Sequence, residues 1–156
     1  MLFGLGIALA VIILDQAAKA WVLGFFAGHA GVPVAVVTPF FNLVLTGNRG
    51  VSFGLFNNGA TMNVAIFTVL AAAIVIALLV WLRRAQTPMI RLALGLIIGG
   101  AIGNVFDRIY RGAVVDFLDF HLGDWHWFAF NVADAAICLG VAALLLDGLL
   151  ARREAA

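Results

Sequence analysis

Four apolar segments, each long enough to cross a lipid bilayer, constrain this chain more than any other feature of its sequence. They run over roughly Leu2–Phe26, Asn63–Leu82, Leu92–Ile109 and Ala129–Leu150, and a helical crossing needs about 20 residues. Hydrophobic residues make up 65% of the 156 residues, whereas a soluble domain is about 45–50% apolar. Backbone polar groups inside a bilayer must be paired within the protein, which favours helices. We therefore expect an all-α membrane protein with four transmembrane helices and a single domain over residues 1–156.

The distribution of arginines predicts how these helices are oriented. Arg83, Arg84 and Arg91, together with Arg152 and Arg153 in the tail, fall on one side if the four helices alternate. Arg49, Arg108 and Arg111 fall on the other side. Because Lys and Arg are enriched on the cytoplasmic side of membrane proteins, both termini are predicted to be cytoplasmic and the two longer links to face outward.

The first outward link, about Ala27–Met62, has the composition of a β-structure. Pro33–Phe41 is rich in β-branched and aromatic residues, and Leu43–Thr46 continues the extended character. Gly47–Gly50 is typical of a turn. We predict a small extracytoplasmic β-like structure or hairpin on the membrane surface, with an amphipathic interfacial loop as the alternative.

The second outward link, about Tyr110–Phe128, is predicted to be an interfacial loop before the last helix. Trp125, Trp127 and Phe128 are typical of the aromatic belt at a membrane surface. We assign Arg111, Asp119 and Asp124 to a solvated rim, where charged groups meet headgroups and water.

The third apolar segment carries small residues and then polar ones. Gly95, Gly99 and Gly103 are four residues apart, a spacing that lets helix backbones approach closely. Asn104 and Arg108 share a helix face near the outward end of the same segment. Charged groups at such a depth are costly and therefore indicate a functional site.

Asp15 and Lys19 lie four residues apart in the first segment and hence on one helix face. They fit either a structural ion pair or a pair that faces an internal polar cavity. Their spacing does not choose between these two interpretations.

Asp116 and Asp134 form the strongest candidate pair for chemistry. They fall at the outward ends of the third and fourth segments, at similar predicted depth. Two carboxylates in one apolar site cannot easily both ionise, which leaves one acid and one base, as in aspartic proteases. Asp134 also fits a helix-capping carboxylate. A proton-coupled small membrane transporter that uses intramembrane carboxylates is the alternative function.

The sequence lacks the residue patterns of a metal site, a serine or cysteine nucleophile, or a nucleic-acid-binding surface. His29, His121 and His126 share no metal-ligand spacing, and the one cysteine, Cys138, lies in an apolar run. Ser52 is the only serine and has no plausible catalytic partners. The net charge of +1 and the absence of a basic run give no indication of nucleic-acid binding. We predict no metal and no cofactor.

Five separated motifs resemble those of lipoprotein signal peptidase, also called signal peptidase II, over essentially the whole chain. They are Asp15-Gln-Ala-Ala-Lys19, Asn48-Arg-Gly-Val-Ser-Phe53, Gly99-Gly-Ala-Ile-Gly-Asn104-Val-Phe-Asp107-Arg108, Val114-Val-Asp116-Phe117 and Phe130-Asn131-Val-Ala-Asp134. The chain differs from the family pattern at Val51, Ser52 and Phe128, and at Ala135, where serine is common in the family.

The resemblance implies a function and a set of site residues. It implies an aspartic endopeptidase of the bacterial cytoplasmic (inner) membrane that cleaves prolipoproteins just before a diacylglyceryl-modified cysteine, near the extracytoplasmic face. Membrane lipids and diacylglyceryl-modified prolipoproteins are the implied partners, and globomycin-type cyclic peptides the implied inhibitors. The implied catalytic residues are Asp116 and Asp134, and the implied supporting residues are Asp15, Lys19, Asn48, Asn104, Asp107, Arg108 and Asn131.

Overall fold

A computed structural model describes residues 1–29, 34–49 and 61–154 of the chain. The described elements are α1 (Leu2–Ala27), β1 (Val34–Thr38), β2 (Phe41–Asn48), α2 (Thr61–Arg84), α3 (Pro88–Arg111), β3 (Val114–Leu122), β4 (Trp125–His126) and α4 (Val132–Glu154). Val51, Ser52 and Phe53 of the second motif lie outside the described residues.

The described part contains four helices that are long and apolar enough to cross a membrane, as predicted. Helices α2, α3 and α4 begin at different residues from those the hydropathy pattern indicates, α2 at Thr61 rather than Asn63. Helix α3 begins at Pro88 because Thr87 caps it, with its Oγ1 accepting a 3.1 Å hydrogen bond from the Ile90 amide. Helix α4 begins at Val132 because Asn131 caps its first turn.

Helix α3 lies at the centre of the bundle and packs against α1, α2 and α4. Gly95, Gly99 and Gly103 face α1 so closely that a Cβ added at Gly99 would lie 2.6 Å from the carbonyl oxygen of Ala8. Gly100 and Gly140 permit the same close approach between α3 and α4. The small-residue face predicted from the sequence is therefore a helix–helix contact rather than a lipid-facing surface.

An antiparallel sheet of order β1-β2-β3-β4 covers one end of the bundle. The chain reverses between β1 and β2 at Pro39–Phe40. The turn predicted at Gly47–Gly50 is wrong for Gly47 and Asn48, which belong to β2 and pair with Val115 and Val114; Gly50 lies outside the described residues. Strand β3 occupies much of the predicted interfacial loop, because the backbone groups of β2 need a partner strand.

The two halves of the bundle differ in chemistry. At the end opposite the sheet, an apolar cluster formed by Ala8, Val75, Leu82, Leu94 and Ile98 fills the interior. At the sheet end, Val22 and Phe26 of α1 pack against Leu43, Val115 and Phe117 of the sheet. Buried polar side chains lie beside this second cluster, and they form the candidate site.

Candidate active site

Asp116 lies on β3 with its carboxylate held by two asparagine side chains. Asn131 Nδ2 donates to Asp116 Oδ1 at 2.6 Å, and Asn48 Nδ2 donates to Asp116 Oδ2 at 3.1 Å. Asn48 reaches it from the end of β2, because the β2–β3 register places Thr46 opposite Asp116. Asp116 is 2% exposed. Burial, and after it the charge of Asp134, raises the pKa of Asp116 to about 7.

Asp134 lies in the first turn of α4 and is held by a reciprocal cap. The Asp134 amide donates to Asn131 Oδ1 at 3.0 Å, and the Asn131 amide donates to Asp134 Oδ2 at 3.3 Å. Asn104 Nδ2 of α3 donates to Asp134 Oδ1 at 2.8 Å. Asp134 therefore caps the helix and also presents its carboxylate to the site, so the two interpretations of this residue are compatible.

Asn131 connects the two carboxylates, which we call the carboxylate pair. Its backbone amide and side-chain oxygen engage Asp134, while its Nδ2 reaches Asp116 and also Asn104 Oδ1, at 3.3 Å from the latter. Asn131 is fully buried. One rigidly held amide thus fixes the first turn of α4 relative to β3.

Lys19 lies behind the carboxylate pair in a buried charge cluster with Asp15 and Asp107. Its Nζ lies 2.8 Å from Asp15 Oδ2 and 2.7 Å from Asp107 Oδ2, and all three side chains are fully buried. Lys19 also donates to Asn104 Oδ1 at 3.2 Å. Buried charges are tolerated when they are paired and hydrogen-bonded, as these are.

The structure resolves the two interpretations of Asp15 and Lys19. They form an ion pair, and the pair belongs to the polar interior beside the site. Asp15 Oδ1 accepts a 3.0 Å hydrogen bond from the amide of Ala133, one of the α4 amides that has no partner within its own helix. Asp15 therefore ties α1 to the turn that carries Asp134.

Asp107 anchors the segment that leads into β3. Its Oδ2 accepts from the Val115 amide at 3.2 Å, next to Asp116. Its Oδ1 accepts from Gln16 Nε2 at 3.2 Å and from Arg111 Nη1. These contacts fix the path of the chain from α3 to Asp116.

Arg111 and Gln16 are two residues whose place in this network the sequence interpretation did not identify. Arg111, which we assigned to a solvated rim, pairs with the buried Asp107 and donates to Gln16 Oε1 at 3.0 Å. The ion pair between Asp107 and Arg111 was predictable, because the two residues are four apart on one helix. For Gln16, the only indication in the sequence was its position inside the first motif.

Arg108 is half-buried and lies where its charge interacts with Asp134, Asp116 and Asp107. All nine residues named by the family resemblance are thus linked to one polar cluster by hydrogen bonds, ion pairs or charge interactions. Within the described ranges, no group of three or more His, Cys, Asp or Glu side chains is arranged to hold a metal ion.

Asp119 does not belong to a solvated rim, so that prediction is wrong. It is 6% exposed and lies on β3 opposite Asn42. Asn42 Nδ2 lies 2.9 Å from Asp119 Oδ2, and His126 Nδ1 is also 2.9 Å from that oxygen. Burial alone would raise its pKa, but these hydrogen bonds outweigh burial and lower the pKa. Asp124 is exposed, as predicted.

Comparisons with known proteins identify the family. The family model described as "Signal peptidase (SPase) II" matches residues 7–150. A lipoprotein signal peptidase of Nitrobacter hamburgensis is 46% identical over 94% of this chain and 92% of its own length. One of Rhodopseudomonas palustris (strain TIE-1) is 49% identical over the same shares of the two chains. The predicted family resemblance is therefore confirmed.

Solved structures agree with the fold. A bacterial membrane enzyme determined by the in meso method at 2.3 Å superposes with a TM-score of 0.77, at 27% identity, over 94% of this chain and 87% of its own. A second, determined at 1.9 Å, gives a TM-score of 0.74 at 28% identity over 94% and 92% of the two chains. The predicted four-helix membrane architecture with a small sheet is confirmed.

Proposed function

Since the chain belongs to the signal peptidase II family of membrane peptidases, we propose that it is an aspartic endopeptidase that removes signal peptides from bacterial prolipoproteins. It cleaves just before the diacylglyceryl-modified cysteine, and Asp116 and Asp134 are its catalytic residues. The observation that carries this proposal is the shared ligation of both carboxylates by the buried Asn131.

The chemistry needs one proton on the carboxylate pair. Like charge and burial hold a proton near neutral pH, and this proton belongs to the pair rather than to either member. The ionised carboxylate takes a proton from water as the water oxygen attacks the scissile carbonyl carbon. The protonated carboxylic acid donates to the carbonyl oxygen. When the intermediate collapses, the C–N bond breaks, the carboxyl group that took the proton from water donates it to the leaving amine, and the other carboxylate takes a proton from a hydroxyl of the intermediate. The products are a carboxylic acid and a new N-terminus, and the pair again holds one proton.

The supporting residues position this pair. Asn48 and Asn104 each hold one carboxylate, and Asp15 and Lys19 fix the start of α4 relative to α1 and α3. Asp107 orients the entry to β3. Arg108, whose charge faces the pair, orients a carboxylate or a substrate carbonyl with its forked donor set. The chemistry proceeds with carboxylates and water alone.

We place the enzyme in the bacterial inner membrane, with both termini cytoplasmic and the sheet at the extracytoplasmic face. Arg83 and Arg84 at the end of α2, together with Arg91 near the start of α3, support this orientation. Exposed Val36, Phe40 and Trp125 on the sheet and its loops favour contact with lipid and with a substrate that arrives laterally. Globomycin-type cyclic peptides inhibit the enzyme by occupying the same site.

A proton-coupled transporter fits the described residues less well. Such a protein needs a polar path through the bilayer, and the buried polar side chains described here lie in the half of the bundle near the sheet. The other half is filled by the apolar cluster around Leu94 and Ile98.

The direct test is incubation of the purified protein with a diacylglyceryl-modified prolipoprotein, followed by mass measurement of both products. The expected masses correspond to hydrolysis of the bond before the modified cysteine. Asp116→Asn serves as the inactive control. An intact substrate after incubation with the wild-type enzyme, or cleavage at another bond, would contradict the proposal.

A further inference from the structure

An apolar groove begins at Asp134 and follows the outer side of α4. It has a volume of about 400 Å³, and its lining includes Trp127, Phe130, Asp134, Ala135, Ile137 and Cys138. Ligand pockets are typically about 300–1,000 Å³. We call it the α4 groove; apart from Asp134, its lining residues have no role in the proposed mechanism.

We propose that the α4 groove binds an acyl chain of the substrate's diacylglyceryl group, next to the thioether. This inference rests on the proposed function, because it takes the lipidated cysteine to follow the scissile bond. The lipid is attached to the first residue after the cleaved bond, so its acyl chains must run away from the carboxylate pair directly beside the reaction site. The groove starts at one of those two carboxylates and therefore offers the shortest exit.

The direction of the groove fits a lipid. Asp134 and Cys138 are one helical turn apart on α4, a helix long and apolar enough to cross the membrane. Cys138 and its neighbour Leu139 are exposed on the surface of this helix, which faces lipid in a bilayer. A chain that enters at Asp134 and passes Cys138 therefore runs from the site into the bilayer.

The lining of the groove argues against a peptide segment as its occupant. Asp134 is its charged residue, and the other lining side chains are aromatic, aliphatic or, at Cys138, a thiol. A peptide in the groove would leave most backbone N–H and C=O groups unpaired, each at a cost of several kcal/mol in a membrane. An acyl chain has no such groups and gains from the burial.

Two small side chains make room for the occupant. Ala135 and Cys138 are three residues apart and so lie on one face of α4, and a bulky residue at either position would fill the groove.

Cys138 provides a test because it is the only cysteine in the chain. The rate of its alkylation by N-ethylmaleimide is measured in the Asp116→Asn variant, in which we expect too little cleavage to consume the bound substrate. A prolipoprotein peptide with a dipalmitoylglyceryl cysteine, at about ten times its Kd, should slow labelling roughly tenfold. The same peptide without lipid, or an equal concentration of phosphatidylglycerol, should leave the rate unchanged. Protection by either control, or none by the lipidated peptide, would overturn the assignment.

Substitution at the groove gives a second readout. Cys138→Phe should lower kcat/KM for the dipalmitoyl substrate by about tenfold or more, mainly through KM. Cleavage of a substrate with short, four-carbon acyl chains should change little. Leu139→Phe, on the lipid-facing surface next to the groove, is the matched control and should alter neither. Equal losses on both substrates would overturn the proposal, since the groove would then hold part of the peptide.

The proposed function is tested separately in the same assay. If the wild-type enzyme cleaves neither lipidated peptide, the peptidase assignment itself fails. If it cleaves both and Cys138→Phe changes neither rate, only the groove assignment fails. If Cys138→Phe does not fold, the labelling of the native cysteine still tests whether the acyl chain occupies the α4 groove.

Discussion

Asn131 Nδ2 lies 2.6 Å from Asp116 Oδ1, so the residue that caps α4 also holds a carboxylate of β3. The same asparagine exchanges two hydrogen bonds with Asp134. Its two tasks use different parts of the residue, because the side-chain oxygen caps the helix while the side-chain nitrogen reaches Asp116. Substitutions can therefore separate the stability of α4 from the geometry of the carboxylate pair.

Asn131→Ser should keep the helix cap and lose the contact with Asp116, because serine caps helices well but is too short to reach β3. We expect a melting temperature in detergent near that of the wild type and a cleavage rate lowered by about 10²-fold. Asn131→Ala should lose the rate and also about 1 kcal/mol of stability. Normal turnover in Asn131→Ser would show that the hydrogen bond to Asp116 is unimportant.

Asp116→Asn and Asp134→Asn should each remove most cleavage activity. General acid–base catalysis contributes about 10²–10⁴-fold, and the two carboxylates act through each other. The double variant should therefore be little slower than either single one. Folding should survive, because losing a buried charge relieves desolvation and repulsion. Asp124→Asn, at an exposed position, is the control. Full activity in either single variant would remove the aspartic mechanism.

Gly99→Ala should destabilise the bundle and slow cleavage. The added Cβ would lie 2.6 Å from the Ala8 carbonyl oxygen and 2.8 Å from Val11 Cβ, so α1 must move. Overpacking of this kind typically costs about 1–3 kcal/mol. Gly6→Ala is the control, because a Cβ at Gly6 meets nothing within 4 Å. Thermal melting in detergent checks both variants, and equal melting temperatures would contradict the close α1–α3 contact.

The sequence predicts the helices and the α1–α3 contact because both depend on local patterns. Apolar length alone predicts a spanning helix, and glycines at intervals of four mark a face that admits another backbone. The first residues of α3 and α4 differ from prediction because single capping side chains, Thr87 and Asn131, determine where these helices begin. A cap can shift the start of a helix by a few residues from the start of its apolar segment.

Strand β3 and the burial of Asp119 could not be predicted from local sequence. A segment with two aspartates is typical of a solvated loop, unless distant donors compensate for their burial. Asn42, which hydrogen-bonds Asp119, is 77 positions away, and Asn48 is 68 positions from Asp116. Only the sheet register brings them together. Of the nine candidate site residues, Asn48, Asp107 and Asn131 were predicted only through motif resemblance, which carries such long-range information.

Asp119→Asn should lower stability more than it lowers catalysis. The buried carboxylate accepts from Asn42 and His126 and so joins β2, β3 and the short β4. Both donors lie 2.9 Å from the same oxygen, so an amide can still accept from them, but without the negative charge that strengthens these hydrogen bonds, at a cost of about 1–2 kcal/mol. We expect a lower melting temperature and, well below it, a cleavage rate within a few-fold of wild type. A loss of turnover as large as that of Asp116→Asn would place Asp119 in the catalytic machinery.

Stability should fall as pH rises towards 7 because of Asp116. Burial, and then Asp134, raises its pKa from 3.8 to about 7 in the folded protein. Between these values the unfolded chain has released the proton while the folded protein keeps it. The contribution of Asp116 is therefore complete below about pH 4, decreases up to about pH 7, and is constant above that.

The difference in melting temperature between the wild type and Asp116→Asn, measured in detergent from pH 5 to 8, isolates this contribution. It should shift in favour of Asp116→Asn up to about pH 7 and then level off, since the ionisable groups outside the carboxylate pair are common to both proteins. Over the same range, wild-type cleavage should decline above about pH 7, as the carboxylate pair loses the proton that its acid must donate. A pH-independent difference in melting temperature would show that Asp116 is already ionised at pH 5, and a rate that keeps rising to pH 8 would show that the reaction needs no protonated carboxyl group.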